Sequence, residues 1–312
     1  MISIDHKLKQ STLFKKSTTN SFEYKILTII IIYFVLWLAG LYAGRIVADT
    51  IGNIFTIGFH INSSLVHGLK RFITCGVQIL IFFVWVHFVE KRPIKTMGFE
   101  VSTPIKFYLI GVVVVFAAIL AITTVLIALG MIEIDSFNMN VDLLTFMWII
   151  LGWLVQSASE EIAIRGWLIP ILGNRYTPFL AILLTSTIFG ILHLFSSGVT
   201  ILSFINLFLS GIFFASYAIY TNNIWGVCGM HFSWNLTLGN IFGLPVSGFN
   251  SNGETIITMK QTGPVFFTGG DFGPEGSFIT TIVLLIGICI IGIMTSKKYK
   301  TYTIPHSMGP HD

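Results

Sequence analysis

The chain has 312 residues, of which 54% are hydrophobic and only 10% charged, with a net charge of +4. Soluble domains carry about 25% charged residues, so a chain of this length has too little polar surface for a water-soluble fold, and no second, soluble domain stands out. The excess base is gathered in short segments between apolar stretches, which excludes a nucleic-acid patch. Cys75, Cys228 and Cys289 lie scattered inside apolar stretches and form neither a disulfide framework nor a CxxC-type metal site.

The N-terminal segment, 1–25, is lysine-rich (Lys7, Lys9, Lys15, Lys16, Lys25). The apolar run from Ile26 to Val47 that follows is too long for a signal-peptide core and reads as a first membrane helix. About 20 apolar residues are needed per crossing. Eight stretches qualify as candidates, roughly 26–48, 67–89, 105–130, 143–168, 178–196, 200–221, 224–243 and 278–296. Backbone groups in lipid must be satisfied internally, so these are helices. The expected fold is an all-α polytopic membrane helix bundle. Its membrane domain is 26–296, followed by a short polar tail, 297–312.

Lysine and arginine set orientation. With eight crossings and the N-terminus inside, the inner segments hold Lys7, Lys9, Lys15, Lys16, Lys25, Lys91, Arg92, Lys95, Lys106, Arg175, Lys297, Lys298 and Lys300, thirteen of the 18 basic residues. Arg45, Lys70, Arg71 and Lys260 fall near the outside, the first three at helix ends where they can snorkel. Both termini are therefore expected in the cytoplasm of a cell-membrane, multi-pass protein. The loop from about 244 to 277 is rich in Gly, Asn and Pro, including Gly269-Gly270-Asp271-Phe272-Gly273-Pro274-Glu275-Gly276. It is an extramembrane, folded-back loop, either a connector between helices or a cap over a site.

Charged residues at the centre of a membrane helix cost roughly 2.5–3.5 kcal/mol each. The fourth stretch carries three, in Ser157-Ala158-Ser159-Glu160-Glu161-Ile162-Ala163-Ile164-Arg165-Gly166. Glu161 and Arg165 are i and i+4, so they share a face and can pair. Glu160 points about 100° away and is left over. A spare carboxylate in a dry bundle needs a cation, a proton or a histidine. His193, after Phe189, and His231, with Asn235 at i+4, are the candidate partners. The Glu161–Arg165 pair reads equally well as an ion pair that locks helix packing. Ser157 and Ser159 read as packing contacts. His60, His67 and His87 lie near helix ends, and His306 and His311 in the tail; none is expected to carry chemistry. There is no HExxH, no GxSG-type serine in a helix, and no second intramembrane Asp to pair with Asp271.

The pattern EExxxR (Glu160-Glu161-Ile162-Ala163-Ile164-Arg165), then FxxxH (Phe189, His193), then HxxxN (His231, Asn235), in order on successive membrane helices, resembles the CPBP intramembrane proteases. These are the CAAX-protease and bacteriocin-processing, or Abi, proteins, which include the Ras-converting CAAX endopeptidase. The resemblance covers about 140–243. Ile164 stands where many members have Phe. The resemblance implies hydrolysis of a peptide bond in a membrane-associated peptide or protein, with Glu160 as general base and His193 holding the attacking water. His231 and Asn235 would donate to the oxyanion, and Glu161 and Arg165 would support the site. In bacteria the family is linked to peptide or bacteriocin maturation and self-immunity. No cofactor is required on this reading. Zinc or another divalent metal on Glu160, His193 and His231 is the competing mechanism; Asn235, a poor zinc ligand and a good oxyanion donor, favours the metal-free one. Depth along the helices points to a water-filled cavity open to the cytoplasm, with His193 deeper than Glu160. Two other functions fit a polar set in a bundle: a non-catalytic scaffold or regulator of the same fold, and a proton-relaying transporter. The transporter lacks the matched interrupted helices of an internal repeat.

Overall fold

The computed structural model describes residues 5, 8–18, 25–55, 63–250 and 254–300. Lys7, His60, His306 and His311 lie outside them, as does the side chain of Lys300. The eight expected apolar stretches are all helical. They are α1 (Ile26–Asn53), α2 (Ser63–Val89), α3 (Pro104–Ala128), α4 (Leu143–Arg175), α5 (Pro178–Leu192), α6 (Ile201–Thr221), α7 (Trp225–Leu236, continued by a π-helical turn over Thr237–Ile241) and α8 (Phe278–Lys300). Among the described residues six of them are long and apolar enough to cross a membrane; α5, with 15 residues, and α7 are shorter. By length and composition, six of the eight expected crossings qualify as full spans.

Local sequence sets the helix ends. Asp142 caps α4 by accepting from the backbone N–H groups of Leu144 and Thr145. Thr177 caps α5, with Pro178 at the first helical position where its missing N–H costs nothing. Thr200 and Ser203 form a reciprocal capping box at the start of α6. Between the helices, small residues let backbones approach, as packing in lipid requires. At Gly111 of α3 an added Cβ would stand 2.0 Å from the Gly226 carbonyl oxygen of α7. At Gly229 of α7 it would stand 2.1 Å from that of Tyr108. The outer faces carry exposed apolar side chains such as Leu27, Ile31, Val113 and Ile286, the surface a lipid solvent calls for.

The two ends of the bundle differ. One end carries the N-terminal segment. There Ser11 Oγ donates to Asn222, Lys16 Nζ pairs with Glu100 at 2.6 Å, and the Phe179 N–H donates to Asp5. The C-terminal turns of α8 reach the same end, where Lys298 Nζ donates to the Tyr220 carbonyl. The opposite end carries two strands absent from the sequence reading. Strand β1 (Ile132–Phe137) follows α3, and β2 (Ile257–Gln261) lies in the glycine-rich loop. They pair antiparallel, Ile132 opposite Gln261 and Phe137 opposite Ile257, and tie that loop to the α3–α4 connection.

Candidate active site

The expensive residues of α4 meet α7 in the middle of the bundle. Glu161, with no side-chain exposure, accepts from Arg165 Nη1 at 2.9 Å, the i, i+4 pair foreseen from spacing. The same carboxylate oxygen stands 2.8 Å from His231 Nδ1. An ionised carboxylate only accepts, so Nδ1 carries a proton there, and Glu161 fixes the orientation of the ring. His231 Nε2 then faces Glu160, with Oε2 at 3.9 Å. Phe214 packs the other side of the imidazole, with ring centroids 5.9 Å apart. Arg165 is held further by the Gly211 carbonyl at 3.5 Å and lies over the rings of Phe189 and Phe214.

Glu160 points the other way, as its 100° offset requires, and keeps 25% of its side chain exposed in a cavity of about 120 Å³. Gln156, one turn earlier on α4, donates to Glu160 Oε1 at 2.5 Å. Its own carbonyl oxygen accepts from Asn235 Nδ2 at 2.8 Å. Gln156 therefore bridges the acid and the amide, and it is the site residue that sequence reasoning missed. Its only signal was its position four residues before Glu160. The i, i+4 pair on α7 does face one neighbour, as expected: His231 meets Glu161 and Asn235 meets Gln156.

His193 reaches the same cavity from α5. It is not inside a helix running to 196; it is the residue at which α5 ends, after Leu192. Its Nδ1 lies 2.8 Å from the Phe189 carbonyl, which only accepts, so Nδ1 donates and Nε2 is left with a lone pair. Phe189 and His193 thus act together through the backbone. Five of the six candidate residues are joined by side-chain contacts, directly or through Gln156. His193 joins them by sharing the cavity. Among the described residues no group of three His, Cys, Asp or Glu side chains is placed to hold a metal ion, Glu160, His193 and His231 included. His67 and His87 are exposed.

The glycine-rich loop contributes Val246, Ser247, Phe249 and Glu275 to the cavity wall. Glu275 is the anchor. It accepts from the Trp234 indole of α7 and from the backbone and hydroxyl of Ser247, while Asn206 of α6 holds its carbonyl at 2.7 Å. Burial pushes the Glu275 carboxyl above the usual carboxylate range. A lateral groove of about 290 Å³ shares Glu160, His193 and Phe249 with the cavity and runs past Arg45 and Trp37 of α1 to Phe195. None of these walls comes from the end that holds the N-terminal segment. The cavity lies toward the β1–β2 end, against the expected opening on the side of the N-terminus. Two helix ends account for the difference. Helix α4 continues through Arg175 instead of stopping near 168, which puts Glu160 at mid-helix, and α5 runs away from the N-terminal end to finish at His193.

Comparison with known proteins bears on this segment directly. No curated protein and no solved structure matches the chain. One family does: residues 142–237 match Rce1-like, described as type II CAAX prenyl endopeptidase Rce1-like. The match takes in α4 to α7 and with them all six residues of the polar set, so the part of this multi-pass membrane protein that carries the site is similar to the Rce1-like family of CAAX endopeptidases.

Proposed function

We propose that the protein is an intramembrane endopeptidase that hydrolyses a peptide bond of a membrane-associated peptide or protein with Glu160 as general base. The observation that carries this reading is the pairing of two tautomers around one cavity. His193 offers a bare Nε2 for a water proton. His231, with Nδ1 committed to Glu161, directs Nε2 at the space beside Glu160. Water held between Glu160 and His193 gives a proton to Glu160 as its oxygen attacks the scissile carbonyl carbon. The oxyanion that forms is met by the second amide hydrogen of Asn235 and by the Nε2–H of protonated His231. Pre-placed donors of this kind contribute about 3–4 kcal/mol each. Collapse breaks the C–N bond, and Glu160 returns the proton to the leaving amine. Every step uses groups of this chain. Zinc held by Glu160, His193 and His231 is the competing mechanism, and chelation separates the two. Whether the product is a matured peptide or bacteriocin, or a step in self-immunity, follows from the substrate.

The test compares membrane peptides from cells carrying the wild-type chain and Glu160→Gln, with turnover of any dependent peptide then measured after exhaustive chelation. General-base removal is expected to slow cleavage by about 100-fold or more, with membrane insertion kept and chelation without effect. No peptide differing between the strains sinks the endopeptidase reading in favour of the scaffold. Loss on chelation that zinc alone restores sinks the metal-free chemistry.

A further inference from the structure

The two ends of the bundle carry different charge, and the cavity belongs to only one of them. At the N-terminal end, Lys9, Lys15, Lys16 and Lys25 flank the start of the bundle. Lys91, Arg92 and Lys95 fill the α2–α3 connection, Lys106 opens α3, Arg175 closes α4, and Lys297 and Lys298 close α8. At the β1–β2 end the described connections hold Lys260 as their one base, beside Glu133, Asp135, Asp142, Glu254 and Asp271. Basic residues in short connections and near helix ends mark the cytoplasmic side, while acids contribute little to orientation. Three bases stand within the helices toward the β1–β2 end, and two are locally engaged. Lys70 pairs with Asp49 at 2.8 Å, and the Arg71 guanidinium lies 3.7 Å over the Trp153 ring. Arg45 faces the lateral groove.

From this asymmetry and the position of the cavity we propose that the site opens on the non-cytoplasmic side of the membrane. It then cuts a membrane-anchored peptide whose scissile bond is exposed on that side. The substrate class rests on the endopeptidase reading above; the sidedness does not. The walls that meet the surroundings are Phe249, 63% exposed in the glycine-rich loop, and Phe195, 99% exposed just beyond His193. Both belong to the β1–β2 end. A cytoplasmic peptide would have to pass the closed N-terminal half of the bundle to reach Glu160. A translocation or membrane-insertion reaction must therefore supply this substrate before it is cut.

The experiment labels intact cells with a membrane-impermeant maleimide, in a full-length chain with Cys75, Cys228 and Cys289 changed to Ala. Lys260→Cys and Asp135→Cys probe the cavity end, and Lys95→Cys and Glu100→Cys the other. All four positions are exposed, and two per end guard against one variant failing to fold. Labelling of the first pair in intact cells, and of the second only after lysis, is expected; the reverse pattern overturns the sidedness whether or not the protein is a peptidase. Cut sites of the peptides that depend on Glu160 are then mapped. Cuts on the non-cytoplasmic side of the anchor support the substrate class. Cuts in cytoplasmic segments overturn it while leaving the peptidase reading intact, and the absence of any dependent peptide removes both.

Discussion

Glu160 and Glu161 are neighbours in sequence with opposite environments, and that contrast separates chemistry from support. Glu161 is sealed and answers to Arg165, 1% exposed, and to His231. Removing one partner of a buried pair leaves a charge without compensation, at a cost of about 3–5 kcal/mol. Glu161→Gln is therefore expected to lower the midpoint of thermal unfolding in detergent markedly and to weaken cleavage as a consequence. Glu160→Gln, exchanged in a cavity that already holds polar groups, is expected to lose cleavage with little change in that midpoint. Equal midpoints for the two variants would show that the division of roles is wrong. The division was legible from spacing because charge in lipid is costly enough to announce its partner four residues on. Gln156 was not legible, since an uncharged amide carries no such penalty. The tautomers of His193 and His231 depend on contacts to a backbone carbonyl and to a different helix.

Helices α3 and α7 meet backbone to backbone. The oxygen nearest a Cβ at Gly111 belongs to the main chain of Gly226 and cannot swing aside. Gly111→Ala forces the helices apart, at about 1–3 kcal/mol. Since α7 carries His231 and Asn235, the substitution should lower both detergent stability and cleavage; an unchanged melting profile would argue against so close a contact. The glycine-rich loop depends on Glu275 in a pH-sensitive way. Its folded-state value is raised by burial, so its contribution is full below the ordinary glutamate value of about 4.3 and is lost as pH rises through the raised one. Protection of the 246–249 amides against hydrogen exchange, corrected for the intrinsic quickening of exchange with pH, is expected to fall across that rise in the wild type and to stay level in Glu275→Gln. Glycine and proline marked this loop as folded back in the sequence. Its strand was hidden because the partner of Ile257–Gln261 lies beyond four intervening helices, and no local pattern predicts a pairing so distant.

For the whole molecule, hydropathy alone located all eight helices, because a run of apolar residues has one stable form in lipid. It did not give their lengths in the bilayer or the end at which the cavity sits. Those depend on where α4 and α5 stop, and both helices end at features hydropathy does not weigh: the turn after Arg175 and the capping His193. Helix α5 has a further consequence. Its 15 residues rise about 22 Å at 1.5 Å each, against a hydrocarbon core of about 30 Å. Phe179, Leu180 and Ile191 are exposed along its length, so lipid meets a wall shorter than itself. A bilayer that thins to match this wall draws the water interface down toward His193, at the place where a peptide is to be wetted and cut. Turnover is expected to fall as acyl chains lengthen in reconstituted vesicles, and rates independent of chain length would show that the thinning plays no part. The shortest wall of the bundle is then the place where the membrane itself supplies the water.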